Sequence, residues 1–205
     1  MKIILFRHGE KQKVDSINID DKRAVKLTDL GVTQINKLGK ILFERFPRLN
    51  SSEIIYSSPY ARAIQSGEIV KSILNIENMI LVPEFGEFYA SNNCSLPKEL
   101  RNQIQEKAMQ NPDWISSETD FSLNDEILKF KNKMKEICLE NQNDLILIST
   151  HGGIIRNTVY TLEPKFRPNN DLILDSKIHE GGYTVLDFDG KNFKVDKFDV
   201  HDYLN

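Results

Sequence analysis

Cysteine is nearly absent: Cys94 and Cys138 are the only two in 205 residues. They have neither the paired spacing of a zinc site nor the density of a disulfide scaffold, so they read as free thiols in a reducing compartment. Long apolar runs are also missing, and none approaches the ~20 residues of a membrane helix. No charge of one sign dominates. The formal net charge of −3 gives no reason to expect nucleic-acid binding, so any functional basic residues must be focused locally. The N-terminus shows no charged, apolar, small-residue leader, and the chain has no internal repeat or low-complexity linker. No Asp/Glu/His spacing suggests a metal pair. What these absences leave is a cytoplasmic protein without membrane segments, read as one domain over 1–205. A hydrophobic content of 40% is ample for its core.

What is present begins at the N-terminus. Ile3-Ile4-Leu5-Phe6 is a short apolar run without polar alternation, the pattern of a strand buried on both faces of a parallel sheet. It stops at Arg7-His8-Gly9-Glu10. Sites in such α/β proteins lie outside the carboxyl ends of the strands, so Arg7 and His8 fall on a functional rim. Arginine offers a permanent forked cation, and histidine an acid, base or nucleophile near neutral pH. A second apolar run, Leu145-Ile146-Leu147-Ile148-Ser149, ends in Thr150-His151-Gly152-Gly153. The following Ile154 to Tyr160 reads as a helix that stops before Pro164. Strand, glycine turn and helix N-terminus make an anion site, and two histidines arrive at one rim.

Between them the chain keeps a βα rhythm. Residues 10–27 are polar and read as a loop over the rim. Thr28 caps a helix from about Asp29 to Phe46, with Ile35, Leu38 and Leu42 at core spacing. Glu53 to Ser57 reads as a second strand. Ser58-Pro59 gives an N-cap with proline at the first helical position, for a helix reaching about Leu74. Its apolar positions Ile64, Ile69, Val70 and Ile73 are expected in the core, and Arg62 lies in its first turn. Met79 to Val82 is a third strand, followed by Pro83-Glu84-Phe85-Gly86-Glu87. Residues 90–142 break the rhythm with helices from Pro97 to about Met109 and after Ser122, where Asp125 completes a capping box. The stripe Leu123, Ile127, Phe130, Met134, Ile137 and Cys138 is core packing. Two β-type runs around Asp189-Gly190-Lys191-Asn192 signal a C-terminal hairpin.

Arg7, His8, Arg62, His151 and either Glu84 or Glu87 collect at strand ends. Two arginines and two histidines converging in an acidic protein lack evident compensation and call for an anion. A phosphate monoester, with a charge of about −1.5 to −2 and three acceptor oxygens, fits the arginine forks better than a carboxylate does.

Arg7-His8-Gly9-Glu10, Leu27-Thr28 with Gly31 and Gln34, Ser57-Ser58-Pro59 with Arg62-Ala63 and Gln65, and His151-Gly152-Gly153 follow one another in order. Together they resemble the histidine phosphatase superfamily, the phosphoglycerate mutase-like clan, over residues 2 to about 188. The resemblance implies that His8 is the nucleophile and becomes a phosphohistidine. It implies that Arg7, Arg62 and His151, with Gly152, hold the phosphoryl oxygens. The family acid follows the third strand in a proline-x-apolar-x-glutamate pattern, which points to Glu87, with Glu84 as its rival. Members often carry Ser or Thr and then Asn where this chain has Lys11 and Val14, so Lys11 becomes a substitute phosphate contact. Arg156, His179, Glu180 and His201 read as structural or surface residues. The fold class is an α/β three-layer sandwich with a mostly parallel central sheet and helices on both faces. It carries a C-terminal β-hairpin and a helical cap insertion at about 90–142.

The activity that follows is a metal-independent phosphomonoester hydrolase with no cofactor. Its partner is a phosphorylated small molecule or phosphoprotein substrate, with no nucleic acid and no membrane, and its oligomeric state is left open. A phosphoglycerate mutase-type phosphotransferase and a catalytically impaired phospho-ligand scaffold are the competing readings. A mutase needs a further basic grip, and Lys98, Arg101 and Lys107 are spread along one helix.

Overall fold

In this computed structural model the residues described are 1–14, 19–47, 54–87, 98–111, 113–115, 122–141, 144–167 and 178–204. Cys94, Glu53 and the Phe88-Tyr89-Ala90-Ser91 stretch fall outside them, as do 92–97, 112, 116–121 and 142 of the expected insertion. The strands are β1 (Lys2–Arg7), β2 (Ile54–Ser57), β3 (Asn78–Leu81), β4 (Leu145–Thr150), β5 (Tyr183–Phe188) and β6 (Phe193–Val200). The helices are α1 (Ile19–Ala24), α2 (Asp29–Arg45), α3 (Ala61–Leu74), α4 (Lys98–Gln110), α5 (Leu123–Glu140) and α6 (Gly152–Leu162).

One sheet runs in the order β3-β2-β4-β1-β5-β6. The first four of these are parallel to their neighbours, while β5 is antiparallel to β1 and forms the C-terminal hairpin with β6. β1 and β4 lie at the centre in register, Lys2 against Leu145 through Arg7 against Thr150. Their side chains alternate between faces, so the apolar runs feed two separate cores. Ile3, Leu5, Ile146 and Ile148 pack with α5 and α6, whereas Ile4, Phe6, Leu145 and Leu147 pack with α2 and α3. The expected stripe on α5 is buried throughout, with Phe130 and Met134 fully so. Truncating Phe130 to Ala would cost about 3–5 kcal/mol. No helix among the described residues is long and apolar enough to cross a membrane.

Thr28 caps α2, its Oγ1 accepting from Gly31 N at 3.1 Å. Ser122 and Asp125 form the capping box of α5. Three local expectations change. Residues 10–27 are not all loop, since α1 lies within them and Lys11 bridges to Leu27. α3 begins two residues later than Ser58-Pro59 suggested, at Ala61 after Tyr60, although Ser58 Oγ still accepts from Tyr60 N. Its fully buried face is Arg62, Ala63, Ser66, Gly67, Val70 and Leu74, while Ile64, Ile69 and Ile73 are half-buried, Ile69 packing against the edge of the core. A helix packed this closely against β2 and β4 presents its small residues to the sheet. α6 begins at Gly152, directly after His151, rather than at Ile154.

Candidate active site

The parallel strands β1, β2, β3 and β4 all deliver their carboxyl ends to one rim. β1 ends in Arg7 and leads into His8, β4 leads into His151, and β2 leads into Ser58 and α3. Past β3, a single 3₁₀ turn over Pro83–Phe85 brings Glu87 round to the same place. His8 and His151 lie edge to face with ring centroids 5.3 Å apart. The chain thus brings together Arg7, His8, Arg62, Glu87 and His151.

The remaining residues of the ordered motifs hold the Arg7-His8-Gly9-Glu10 loop in place. Gly9 and Gly31 touch backbone to backbone: a Cβ on Gly9 would lie 2.3 Å from the Gly31 carbonyl oxygen, which only glycine at both positions permits. Glu10 N donates to Gln34 Oε1 at 2.8 Å, and Thr28 Oγ1 donates to Glu10 Oε2 at 2.5 Å. Gln65 Oε1 accepts from Leu27 N at 2.9 Å. These residues act through the loop and need not touch a ligand.

His8 is 3% exposed. Its Nδ1 lies 2.7 Å from Gly9 O, a carbonyl that can only accept, so Nδ1 carries the proton and Nε2 carries a lone pair. Arg62 Nε donates to that lone pair at 3.1 Å. Burial, reinforced by the Arg62 and Arg7 charges, drives the His8 pKa well below its ordinary value and keeps the ring neutral. His151 is fully buried and equally neutral, by burial first and then Arg62. Its Nε2 lies 2.8 Å from Ser58 Oγ. That hydroxyl accepts from Tyr60 N and has no other acceptor for its own proton among the described residues, so it is assigned as donating to His151 Nε2, which leaves Nδ1 as an N–H.

The charges are paired more fully than the sequence suggested. Arg7 Nη2 donates to Glu180 at 2.8 Å and Nη1 to the Ile178 carbonyl. Arg62 donates to Glu87 at 2.5 Å and, through Nη1, to Lys22 O at 3.0 Å. The repulsion argument for an anion therefore fails, because two carboxylates and two neutral imidazoles supply the compensation. A different observation replaces it. Arg7 Nε and His151 Nδ1 are buried donors with no hydrogen-bond partner among the described residues. Leaving each unsatisfied costs about 1–3 kcal/mol, and the two belong to His8's sequence neighbour and to the ring 5.3 Å from it. α3 and α6 add their positive ends, with neither a side-chain cap nor an acidic first turn. Gly152 permits the approach of Arg7, whose Cδ would lie 3.0 Å from a Cβ there.

The two glutamates part company. Glu84 is exposed, while Glu87 points at Arg62. Phe85 between them is fully buried against Phe130, and its carbonyl accepts from Thr150 Oγ1 at 2.7 Å, tying the turn to β4. Lys11 is exposed, yet burial of part of its stem and the nearby Arg62 lower its pKa, so it shares the field of the site. Val14 is exposed. Glu180 is a correction: it read as a surface residue and instead pairs with Arg7. Its signal was weak, since the acid lies over 170 positions from its arginine and follows no strand.

The model of the histidine phosphatase superfamily (branch 1) matches residues 3–201, and the chain belongs to that superfamily. Solved structures with the same fold include YhfR of Bacillus stearothermophilus, 18% identical, with TM-score 0.73 over 100% of this chain and 99% of that one. A mycobacterial glucosyl-3-phosphoglycerate phosphatase in complex with inorganic phosphate is 14% identical, with TM-score 0.73 over 98% of each chain. A phosphoserine phosphatase variant from Entamoeba histolytica in complex with phosphoserine is 20% identical, with TM-score 0.71 over 100% and 99%. No curated protein matches the chain.

Proposed function

We propose that this chain hydrolyses phosphate monoesters through a phosphohistidine on His8, with Glu87 as general acid and then base, and without a metal ion in the chemical step. The observation that carries the proposal is the neutral His8 Nε2 lone pair, faced by Arg62, in a site that also holds the unpartnered donors Arg7 Nε and His151 Nδ1.

The steps follow from these atoms. A phosphoryl group entering the site accepts from Arg7 Nε, His151 Nδ1 and Arg62, whose Nε leaves the His8 lone pair as it turns to phosphate oxygen. His8 Nε2 attacks phosphorus, the P–N bond forms and the P–O bond to the leaving group breaks. Glu87 gives up its contact with Arg62 to the entering phosphate, takes up a proton from solvent or from the substrate, and passes that proton to the departing oxygen. Water then attacks the phosphohistidine, Glu87 takes the proton, the P–N bond breaks, and phosphate and neutral His8 are restored. Donors already fixed around the charge that spreads over the equatorial oxygens supply the largest share of the acceleration. A general acid adds about 10²–10⁴-fold. Lys11 contributes charge at the mouth. The insertion at about 90–142 is the element that selects the substrate, a phosphorylated small molecule in keeping with the phosphatase neighbours.

Acid-sensitivity of the trapped enzyme tests this reading. A phosphorus-labelled substrate quenched in base should leave label on the wild-type protein that is lost in acid, and none on His8→Ala. Label on another residue overturns the nucleophile. Given 3-phosphoglycerate and a trace of 2,3-bisphosphoglycerate, the protein should release phosphate and form little 2-phosphoglycerate; rapid interconversion would make it a mutase instead.

A further inference from the structure

Three side chains of metal-ligating type meet away from the phosphate pocket: His179 before β5, Asp199 in β6 and His201 beyond it. The reaction proposed above uses none of them. His179 Nδ1 lies 2.7 Å from Asp199 Oδ2, and His201 Nδ1 lies 3.6 Å from the same oxygen. The other carboxylate oxygen is taken by the backbone, since His179 N donates to Asp199 Oδ1 at 2.9 Å. The two rings stack with centroids 3.4 Å apart. Asp199 itself sits in the left-handed region at φ 46°, which Asp tolerates better than most residues.

We propose that His179, Asp199 and His201 form a binding site for a divalent transition-metal ion of the Zn²⁺ class. Two imidazole nitrogens and one carboxylate are the donor set such ions prefer, whereas Mg²⁺ and Ca²⁺ take oxygen. A tetrahedral ion with bonds of about 2.0–2.1 Å holds its donors about 3.3 Å apart. The separations of 2.7 and 3.6 Å to Asp199 Oδ2 bracket that value, so each changes by only a few tenths of an ångström. Both Nδ1 atoms now donate, His179 to the carboxylate and His201 to Asp199 O at 2.6 Å. Ligation moves each proton to Nε2 of its own ring, a tautomer shift with no net proton release. The rings are partly exposed and splay about their soft χ2 bonds to bring the ion into both planes. Water completes the shell.

The site has a structural consequence for the pocket. His179 belongs to the segment 178–182 that clasps the end of β1. Ile178 O and Glu180 accept from the Arg7 guanidinium, Gly182 O accepts from Arg7 N at 3.0 Å, and Gly181 N donates to His8 O at 3.2 Å. An ion joining His179 to β6 fixes that segment from its far side. The ion is a clamp and takes no part in phosphoryl transfer.

Chelator-stripped full-length protein titrated with Zn²⁺ against a competing chelating dye tests the proposal. One ion per chain should bind, and saturation should raise Tm by about 5–10 °C at a hundredfold excess over Kd. His179→Ala and His201→Ala should each weaken binding by at least ~100-fold. His201→Gln should do the same if the alanine variant loses its circular dichroism. Co²⁺ should give the visible absorption of a four-coordinate site. His8→Ala should bind as the wild type does. Failure to retain Zn²⁺, retention in both His179→Ala and His201→Ala, or loss in His8→Ala would each overturn the assignment. None of these outcomes bears on the phosphatase reading, which is tested by phosphoenzyme trapping.

Discussion

β1 and β4 run side by side in register, and each ends in a histidine followed by glycine. Both rings are buried and both are kept neutral by burial and by Arg62. They differ in which face of the imidazole reaches the pocket. Gly9 O holds the His8 Nδ1 proton and turns a lone pair inward, whereas Ser58 Oγ holds His151 Nε2 and turns an N–H inward. In the proposed reaction one ring forms the bond to phosphorus and the other donates to its oxygens. A single hydrogen bond at the outer nitrogen of each ring decides the difference, which is a more general lesson than the presence of two histidines.

Breaking that comparison at its strongest point means removing each ring in turn. His8→Ala should lower kcat on p-nitrophenyl phosphate by at least ~10⁴-fold, because the proposed mechanism passes the phosphoryl group through His8. His151→Ala should cost roughly 10²–10³-fold, the scale of one lost donor to a developing oxyanion. Steady-state rates on the purified variants, in EDTA, check both. Equal losses would mean that the two rings share one role.

The arrival of both histidines at one rim was legible in the sequence, though not which nitrogen of each faces inward. The apolar runs ending at Arg7-His8 and Thr150-His151 carry a strong strand signal, and a parallel sheet leaves few places for their ends. The stripe on α5 and the capping box at Ser122 are local patterns that tertiary packing did not override. Three features were out of reach for physical reasons. α3 hides small residues against the sheet, which a hydrophobic pattern cannot reveal. The Arg7–Glu180 pair closes across the antiparallel addition of β5 to β1, a long-range pairing with no local trace. The same return of the chain brings His179 to Asp199 and His201, whose own two-residue spacing signals no site until the distant third side chain joins it.

The two glutamates of the turn after β3 sharpen the contrast from the leaving-group side. Glu87→Gln keeps the shape and removes the proton. It should depress kcat on an alkyl phosphate by roughly 10²-fold or more, and much less on p-nitrophenyl phosphate, whose leaving group departs without a proton. Glu84→Gln should be near neutral on both, since its side chain is exposed. A leaving-group-dependent loss in Glu84→Gln would shift the turn by three residues.

A smaller effect tests whether the two rings are neutral in the folded protein. Their folded pKa values lie well below the unfolded value of 6.5. As pH falls below 6.5 the unfolded chain takes up protons that the native rings refuse, so stability falls with pH in that window. The slope approaches about 1.4 kcal/mol per pH unit for each ring. Urea unfolding between pH 7.5 and 5.5 should show it, and the slope should shrink in His8→Asn/His151→Asn. An undiminished slope in that double variant would place the titration elsewhere.

The smallest effect is expected at Ser58, and it addresses the tautomer directly. Ser58 Oγ accepts from Tyr60 N at 3.3 Å and bonds His151 Nε2 at 2.8 Å. Ser58→Ala removes the proton that keeps Nε2 an acceptor. His151 is then free to carry its proton on Nε2, which would turn a lone pair toward the phosphate oxygens instead of an N–H. The lost bond is worth about 1 kcal/mol and the tautomer bias somewhat more, so kcat/KM should fall by roughly 10-fold. His8 keeps its own bond to Gly9 O, so phosphoenzyme should still form, only more slowly. Imidazole nitrogen shifts of His151 should move from a protonated Nδ1 toward a mixture of tautomers, while those of His8 stay as they are. If Ser58→Ala leaves the His151 nitrogens unchanged, the donor at the pocket is set by the burial of the ring alone, and the division of labour between the two histidines does not depend on Ser58.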